Sequence, residues 1–285
     1  MTQWYVFQAL SQAEVVHVQK TLKQLGNMHH MNGLILIAEE GCNGTVAGSQ
    51  DAIAHMKAYL QETFSISNFQ DWESDVKPFK RFKVDIRKEI VALKNGTPHS
   101  QAQDHLSPKE FHAMMHQEGI TVLDARNIYE SSIGKFKDAV TPAIERFHEF
   151  PGYVATSSIP KDKPVLMYCT SGIRCEKGAQ EMRRQGYEKV YQLDGGITNY
   201  MKKYPEGNWE GECFMFDHRV AVDSKLKPSK RYSLCPSCGN PGDVRTTCSN
   251  CESACILCKY CLSKAPAVCS KACKREIARG EEARV

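Results

Sequence analysis

"YCTSGIRCEK", Tyr168 to Lys177, follows the apolar run Val165-Leu166-Met167 and brackets a short Gly- and Arg-containing loop with Cys169 and Cys175. With the helical pattern "EKGAQEMRRQGY" behind it, the stretch reads as strand, loop and helix. In an open parallel sheet, ligands bind beyond the carboxyl ends of the strands, and "PVLMYC" delivers Cys169 to that edge. Thr170, Ser171, Gly172 and Ile173 can turn backbone N–H groups inward while the helix aims its N-terminus at the sulfur. Such a nest favours an anion and lowers a thiol's pKa below its free value of ~8.5. Arg174 adds a fixed positive charge, so Cys169 is expected to be a thiolate nucleophile able to hold a charged persulfide. The bland alternative is a buried strand-end cysteine, the usual fate of a lone thiol; Gly172 and Arg174 count against it. Cys175 reads equally well as a resolving thiol or as packing.

Around this loop, "SPKEFHAMMHQEG" starts a helix with Pro108 at its first position, and "TVLDAR" and "KVYQL" are strands. Strands alternating with helices indicate an α/β unit with a parallel sheet, placed at residues 93–210. Asp124 and Arg126 stand at the same sheet edge or form an ion pair that fixes the "NIYE" turn. Gly195 and Gly196 suit a tight turn before a helix, with Asp194 as a turn or cap residue.

Residues 1–92 read as strand, helix, strand, strand, helix, strand, which fits a ferredoxin-like (acylphosphatase-like) α+β domain. "QWYVFQAL" is the first strand; the next helix opens on Ser11 with Glu14 at the capping-box position and closes on Gly26. "GLILIAEE" and "GTVAG" pair through "EGCNG", Ser49 to Glu62 is helical, and "FKRFKVDIRKEIVAL" supplies the last strand. The polar "KNGTPHSQAQDH", Lys94 to His105, is the linker.

Nine of the 13 cysteines crowd between Cys235 and Cys273 in a segment, 211–285, with little apolar periodicity. Cys235/Cys238, Cys248/Cys251 and Cys258/Cys261 are C-x2-C pairs, and Cys269/Cys273 a C-x3-C pair. Four such pairs make two four-thiolate sites, for which two structural zinc ions rank ahead of iron–sulfur clusters. Cys255 also lies C-x2-C from Cys258, so the register is open by one ligand, and the pairs combine either sequentially or interleaved. Without metal the segment would lack a core.

At 285 residues and 41% apolar content the chain buries a real core in two or three units. Its longest apolar stretch, Leu34–Ala38, falls far short of the ~20 residues that span a bilayer. "MTQWYVF" lacks the regions of a signal peptide, so the expected compartment is the cytoplasm, with no membrane partner. A net charge of +4 does not by itself imply nucleic acid. However, "VKPFKRFKVDIRKE", Val76 to Glu89, interleaves basic residues with Phe79 and Phe82. On a strand Lys80, Phe82, Val84 and Ile86 would share one face and Phe79, Arg81 and Lys83 the other. On charge pattern alone this is a half-buried strand with a solvated basic face.

"LDARNIYESSIGKFKDAV", "YCTSGIRCEK" and "VYQLDGGITNY" resemble, in order, the motifs of a rhodanese homology domain. With "LILIAEEGCNGTVAGS" and the cysteine-rich tail, nearly the whole chain is similar to the rhodanese-domain tRNA uridine hydroxylases, which make 5-hydroxyuridine at the wobble position using dioxygen. The resemblance implies that Cys169 is the persulfide-forming cysteine, with Arg174 and Cys175 in its loop. It implies tRNA, through its anticodon loop, as partner. Lys80, Arg81, Phe82 and Lys83 then become candidate RNA contacts, and the tail a clamp. Three positions depart from the family pattern: Ser171 stands for Gly, Lys135 for His and Cys42 for Ile, the last expected to be a packed substitute. No flavin, nicotinamide or H-x-D iron motif is visible, and no obligate protein partner is evident. The alternatives are a sulfurtransferase using the same loop, a non-catalytic zinc-binding adaptor, and a cysteine phosphatase. The last needs one residue more between Cys and Arg than the four found here.

Overall fold

The structure, a computed structural model, describes residues 1–66, 68–73, 77–94 and 104–282. Most of the expected linker, 95–103, and Val76 lie outside the described residues.

The first unit runs β1 (Thr2–Phe7), α1 (Gln12–Met28), β2 (Asn32–Ala38), β3 (Gly41–Ala47), α2 (Gln50–Phe64), β4 (Gln70–Asp71) and β5 (Phe82–Ile86), with sheet order β4-β1-β3-β2-β5. The β4-β1-β3-β2 part is antiparallel throughout, the ferredoxin-like arrangement. The basic stretch, expected to close that sheet as its fourth strand, instead adds a fifth strand at the opposite edge, parallel to β2. The two-residue β4 takes the fourth place. The cause lies in α1. Gly26, expected to end the helix, sits inside it, and a Cβ there would come within 2.1 Å of the Phe82 ring. That close approach, together with the Gln19 side chain donating to the Val84 carbonyl at 2.9 Å, pins β5 beneath α1. Ser11 and Glu14 form the expected capping box.

Strand alternation gives the first sheet two different faces. Trp4, Ile35, Ile37, Cys42 and Val46 pack against Val18, Leu22, Met56 and Leu60 of the helices. Gln3, Tyr5, Leu34, Leu36, Asn43 and Thr45 belong to the other face, which among the described residues no helix of this unit covers. Cys42 is a core residue whose thiol burial pushes up to about 12.

The second unit runs β6 (His105–Leu106), α3 (Pro108–Met114), β7 (Thr121–Asp124), α4 (Ile128–Ser131), β8 (Gly134–Phe136), α5 (Phe150–Thr156), β9 (Val165–Tyr168), α6 (Ile173–Arg184), β10 (Val190–Leu193) and α7 (Gly196–Lys203). Strands β6-β10-β9-β7 form a wholly parallel sheet. One apolar cluster fills each face, Phe150, Val154, Ala179 and Met182 on one side and Phe111, Ile197, Tyr200 and Met201 on the other. Every residue of β9 is therefore buried, as a continuous apolar run requires.

The third segment continues with β11 (Trp209–Gly211), which pairs with β8, and the hairpin of β12 (Cys213–Phe214) and β13 (Ala221–Val222). Beyond it come β14 (Ser233–Leu234) with β15 (Pro241–Gly242), β16 (Val244–Thr247) with β17 (Ala254–Leu257), α8 (Lys259–Lys264) and α9 (Lys271–Glu282). Among the described residues no helix is long and apolar enough to cross a membrane.

Candidate active site and metal centres

The uncovered face of the first sheet is spread over the Cys169 loop. Three sets of polar contacts hold it there. Tyr5 donates to Glu176 at 2.9 Å, and His105 meets the same carboxylate oxygen at 2.9 Å. Buried Lys177 binds Glu40 and Glu89, both at 2.7 Å, and the Val91 carbonyl at 3.1 Å. Gln70 of β4 donates to the carbonyls of Gly195 (2.9 Å) and Ser171 (3.3 Å) and accepts from Thr198 (2.7 Å).

Beneath this roof β9 ends at Tyr168 and the chain turns through Gly172, whose φ of 102° is strained for any side chain, into α6. Gly172 donates its N–H to the Cys169 sulfur at 3.1 Å, and the Ile197 N–H holds the Cys169 carbonyl at 3.0 Å. At Gly196, φ 64°, a Cβ would lie 2.5 Å from that carbonyl, so the glycine pair at 195–196 is a matter of close approach. Cys169 is fully buried. Burial by itself raises its pKa, but a hydrogen bond from the Cys175 thiol, the charge of Arg174 and the loop amides outweigh it and bring the value down to about 6. Burial and the neighbouring Cys169 push Cys175 well above the ordinary thiol range. At neutral pH the pair is thus a thiolate with a thiol donating to it.

Arg174 is present in the loop as expected, yet its guanidinium is clamped by Glu130 at 2.6 and 2.7 Å, with Thr170 at 3.3 Å. Glu130 had no signal in the sequence beyond its place three residues after Asn127, because the partner lies 44 residues away. With both Nη groups engaged, the guanidinium is not aimed as a fork at a phosphate, which argues against the phosphatase alternative along with the short loop. Arg126 and Asp124 form the ion pair that the sequence allowed, at 2.7–3.2 Å, and Arg126 also binds the Gly134 carbonyl.

Between roof and loop lies a cavity of about 280 Å³. Its floor is Cys169, Thr170, Ser171, Ile173 and Arg174; its roof includes Leu34, Leu36, Asn43 and Thr45; Met215, Phe216 and Asp217 close one side. Phe216 is 62% exposed and lies with its ring centroid 5.7 Å from the Arg174 guanidinium. Of the basic strand, Lys80, Arg81 and Lys83 are exposed, whereas Phe82 is spent on Gly26 and it is Phe79 that reaches the cavity.

In the tail, Cys235, Cys238, Cys258 and Cys261 form one quartet and Cys248, Cys251, Cys269 and Cys273 the other, with all ligand sulfurs of each within 4.8 Å of one another. The first pair joins the third and the second joins the fourth, which makes the arrangement interleaved. Cys255 belongs to neither; it packs between the two clusters. Sulfur separations of 3.5–3.7 Å match the ~3.8 Å edge of a tetrahedron with ~2.3 Å metal–sulfur arms. Each quartet thus has the geometry to hold a single ion.

Residues 1–90 match the UPF0176 acylphosphatase like domain, 107–203 the rhodanese-like domain and 210–274 the rhodanase C-terminal family. A protein of Bdellovibrio bacteriovorus named tRNA uridine(34) hydroxylase is 42% identical, over 97% of this chain and 81% of its own length. One of the same name from Picosynechococcus sp. is 39% identical, over 81% of this chain and 79% of its own. A rhodanese-like domain from Anabaena sp., solved by NMR, covers 38% of this chain and 80% of its own, with TM-score 0.33 and 21% identity.

Proposed function

We propose that this chain, which belongs to the tRNA uridine(34) hydroxylase family, converts the wobble uridine of tRNA to 5-hydroxyuridine with Cys169 as the reacting group and dioxygen as co-substrate. The observation that carries this reading is the Cys169 thiolate on the floor of a mostly apolar cavity. A planar base suits such a slot, and an unpaired anticodon-loop base costs little to turn out of its stack. A thiolate bonding to C6 of uracil moves the C5=C6 pair onto C5, the carbon to be oxidised; once C5 carries the hydroxyl, loss of the C5 proton expels the thiolate from C6 and restores the double bond. Overall, one oxygen atom of dioxygen enters C5 and the other leaves as water, which takes two electrons and two protons from an external thiol-class reductant.

Gly172 and Arg174 hold the sulfur ionised, and Thr170, Ser171 and Ile173 shape the floor. Cys175 supplies a hydrogen bond to the sulfur. Exposed Lys80, Arg81 and Lys83 meet backbone phosphates, and Phe79 at the cavity replaces Phe82 as the aromatic that stacks on a base. The eight quartet cysteines hold two zinc ions, which supply closed, redox-silent cross-links. The setting is the cytoplasm, where thiols stay reduced.

The test is nucleoside mass spectrometry of bulk tRNA from cells carrying either the natural protein or Cys169→Ser. Loss of 5-hydroxyuridine with the variant supports the reading. If the nucleoside persists while purified protein moves sulfur from thiosulfate to cyanide, the chain is a sulfurtransferase instead.

A further inference from the structure

Most of the cavity over Cys169 is apolar, with Leu34, Leu36, Val91 and Met215 in its walls and the rings of Phe79 and Phe216 beside them. Few polar side chains there are available to a ligand. Arg174 is held by Glu130, and Asp217 by Arg219 at 2.9 and 3.1 Å. Thr170 is engaged with Arg174. What remains is the rotatable Ser171 hydroxyl on the floor and, on the roof, three side chains, Gln3, Asn43 and Thr45.

These three differ in freedom. The Thr45 hydroxyl rotates and serves as donor or acceptor, and the Gln3 amide has no partner among the described residues, so it can turn over. Asn43 cannot. Its Nδ2 donates to the Ile90 carbonyl at 3.3 Å, and a carbonyl accepts only, so the amide has one orientation. Ile90 is itself fixed, 2% exposed and with its N–H on Glu40 at 2.7 Å. Asn43 lines the cavity, and with its Nδ2 committed to Ile90 the group it has left for a ligand is the carbonyl oxygen, an acceptor.

We infer that Asn43 selects the base: its fixed Oδ1 accepts from N3–H of uracil and rejects cytosine, whose N3 carries a lone pair. This rests on the reading that the cavity receives the wobble base. A site built to bond a donor discriminates because a ligand without it leaves a buried acceptor unpaired, which amounts to about ten- to hundredfold. The ligand class is a pyrimidine with a free imide N–H. Gln3 and Thr45 contribute binding without choosing between pyrimidines.

The experiment uses the full chain and anticodon stem-loop RNAs carrying uridine, 3-methyluridine or cytidine at the wobble position. Methylation removes the N3 donor and adds bulk; cytidine removes it without bulk. Dissociation constants and protection of Cys169 from iodoacetamide are read for the natural protein, Asn43→Ala and the smaller polar change Asn43→Ser, each checked for folding by its melting curve. The natural protein should favour uridine over both other loops by about tenfold or more, and the variants should bring all three within about threefold. If the natural protein treats the three alike, or either folded variant keeps the full preference, the assignment of Asn43 is overturned while the site reading stands. If no loop protects Cys169, the site reading falls and takes the inference with it.

Discussion

Cys169 and Cys251 are both cysteines with other thiols as neighbours, yet the two regions around them are built on opposite terms. Cys169 terminates a strand buried on both faces by Leu, Val, Ile and Phe, and that core exists whether or not the sulfur is charged. In the tail the clusters are the cysteines themselves with only Leu257, Ala267, Val268 and Ile277 added. In the first region the fold supports the thiol; in the second the thiols support the fold. One type of side chain thus plays two roles, and what separates them is the amount of apolar surface around it.

The sharpest way to break this comparison is to strip any metal that the two quartets hold. Binding energies of structural zinc sites run to about 10–16 kcal/mol, so a strong chelator should unfold the segment beyond Tyr232 while leaving the first two units cooperative. Limited proteolysis with mass-spectrometric mapping reads this; simultaneous loss of all three units would show that the tail is not the separately supported part. Cys169→Ser should do the converse, lowering single-turnover hydroxylation by about a thousandfold or more while the unit still folds, its melting temperature falling only by what the lost thiolate contributes.

Glu130→Gln tests the support of the thiol's environment. It leaves buried Arg174 without its counter-charge, and breaking such a pair costs about 3–5 kcal/mol, seen as a lower denaturant midpoint at constant slope. A smaller effect is set by pH. Alkylation of Cys169 should be half-maximal near about 6, against ~8.5 for an ordinary thiol. Because the folded value lies below the unfolded one, ionisation of Cys169 stabilises the fold fully only above ~8.5, and that contribution disappears as pH falls through about 6. Peptide-resolved alkylation across that range checks it, with core residue Cys42 as the unreactive control. Smallest is the outer surface: Lys80→Ala, Arg81→Ala and Lys83→Ala should each flatten the salt dependence of tRNA binding by about 0.7–0.9 in log–log slope.

Much of the fold was legible because its signals are local. Ser11 with Glu14, and Ser107 with Pro108 and Glu110, announce helix starts through contacts within four residues. The Cys169 loop was legible for the same reason: strand, glycine, arginine and helix follow one another directly. What escaped depends on distance. The edge chosen by β5 is decided by Phe82 meeting Gly26, the clamp on Arg174 by Glu130, and the roof by Tyr5, Gln70 and Lys177 contacts between residues far apart in the chain. Cysteine spacing picked out eight candidate ligands in four pairs, but which pairs can share an ion is a question of how hairpins stack, and Cys255 could be set aside only once they had.

Cys175, Glu176 and Lys177 are consecutive, yet the first serves the sulfur and the other two grip the first unit through Tyr5, Glu40 and Glu89. A recombination event that carried the rhodanese-like unit away alone would leave a buried lysine without its acids and a buried glutamate without its phenol. The two units are therefore tied in inheritance: substitutions at Tyr5, Glu40 or Glu89 should be matched in the same lineage by changes at 176 and 177, and free-standing rhodanese domains should show no such linkage.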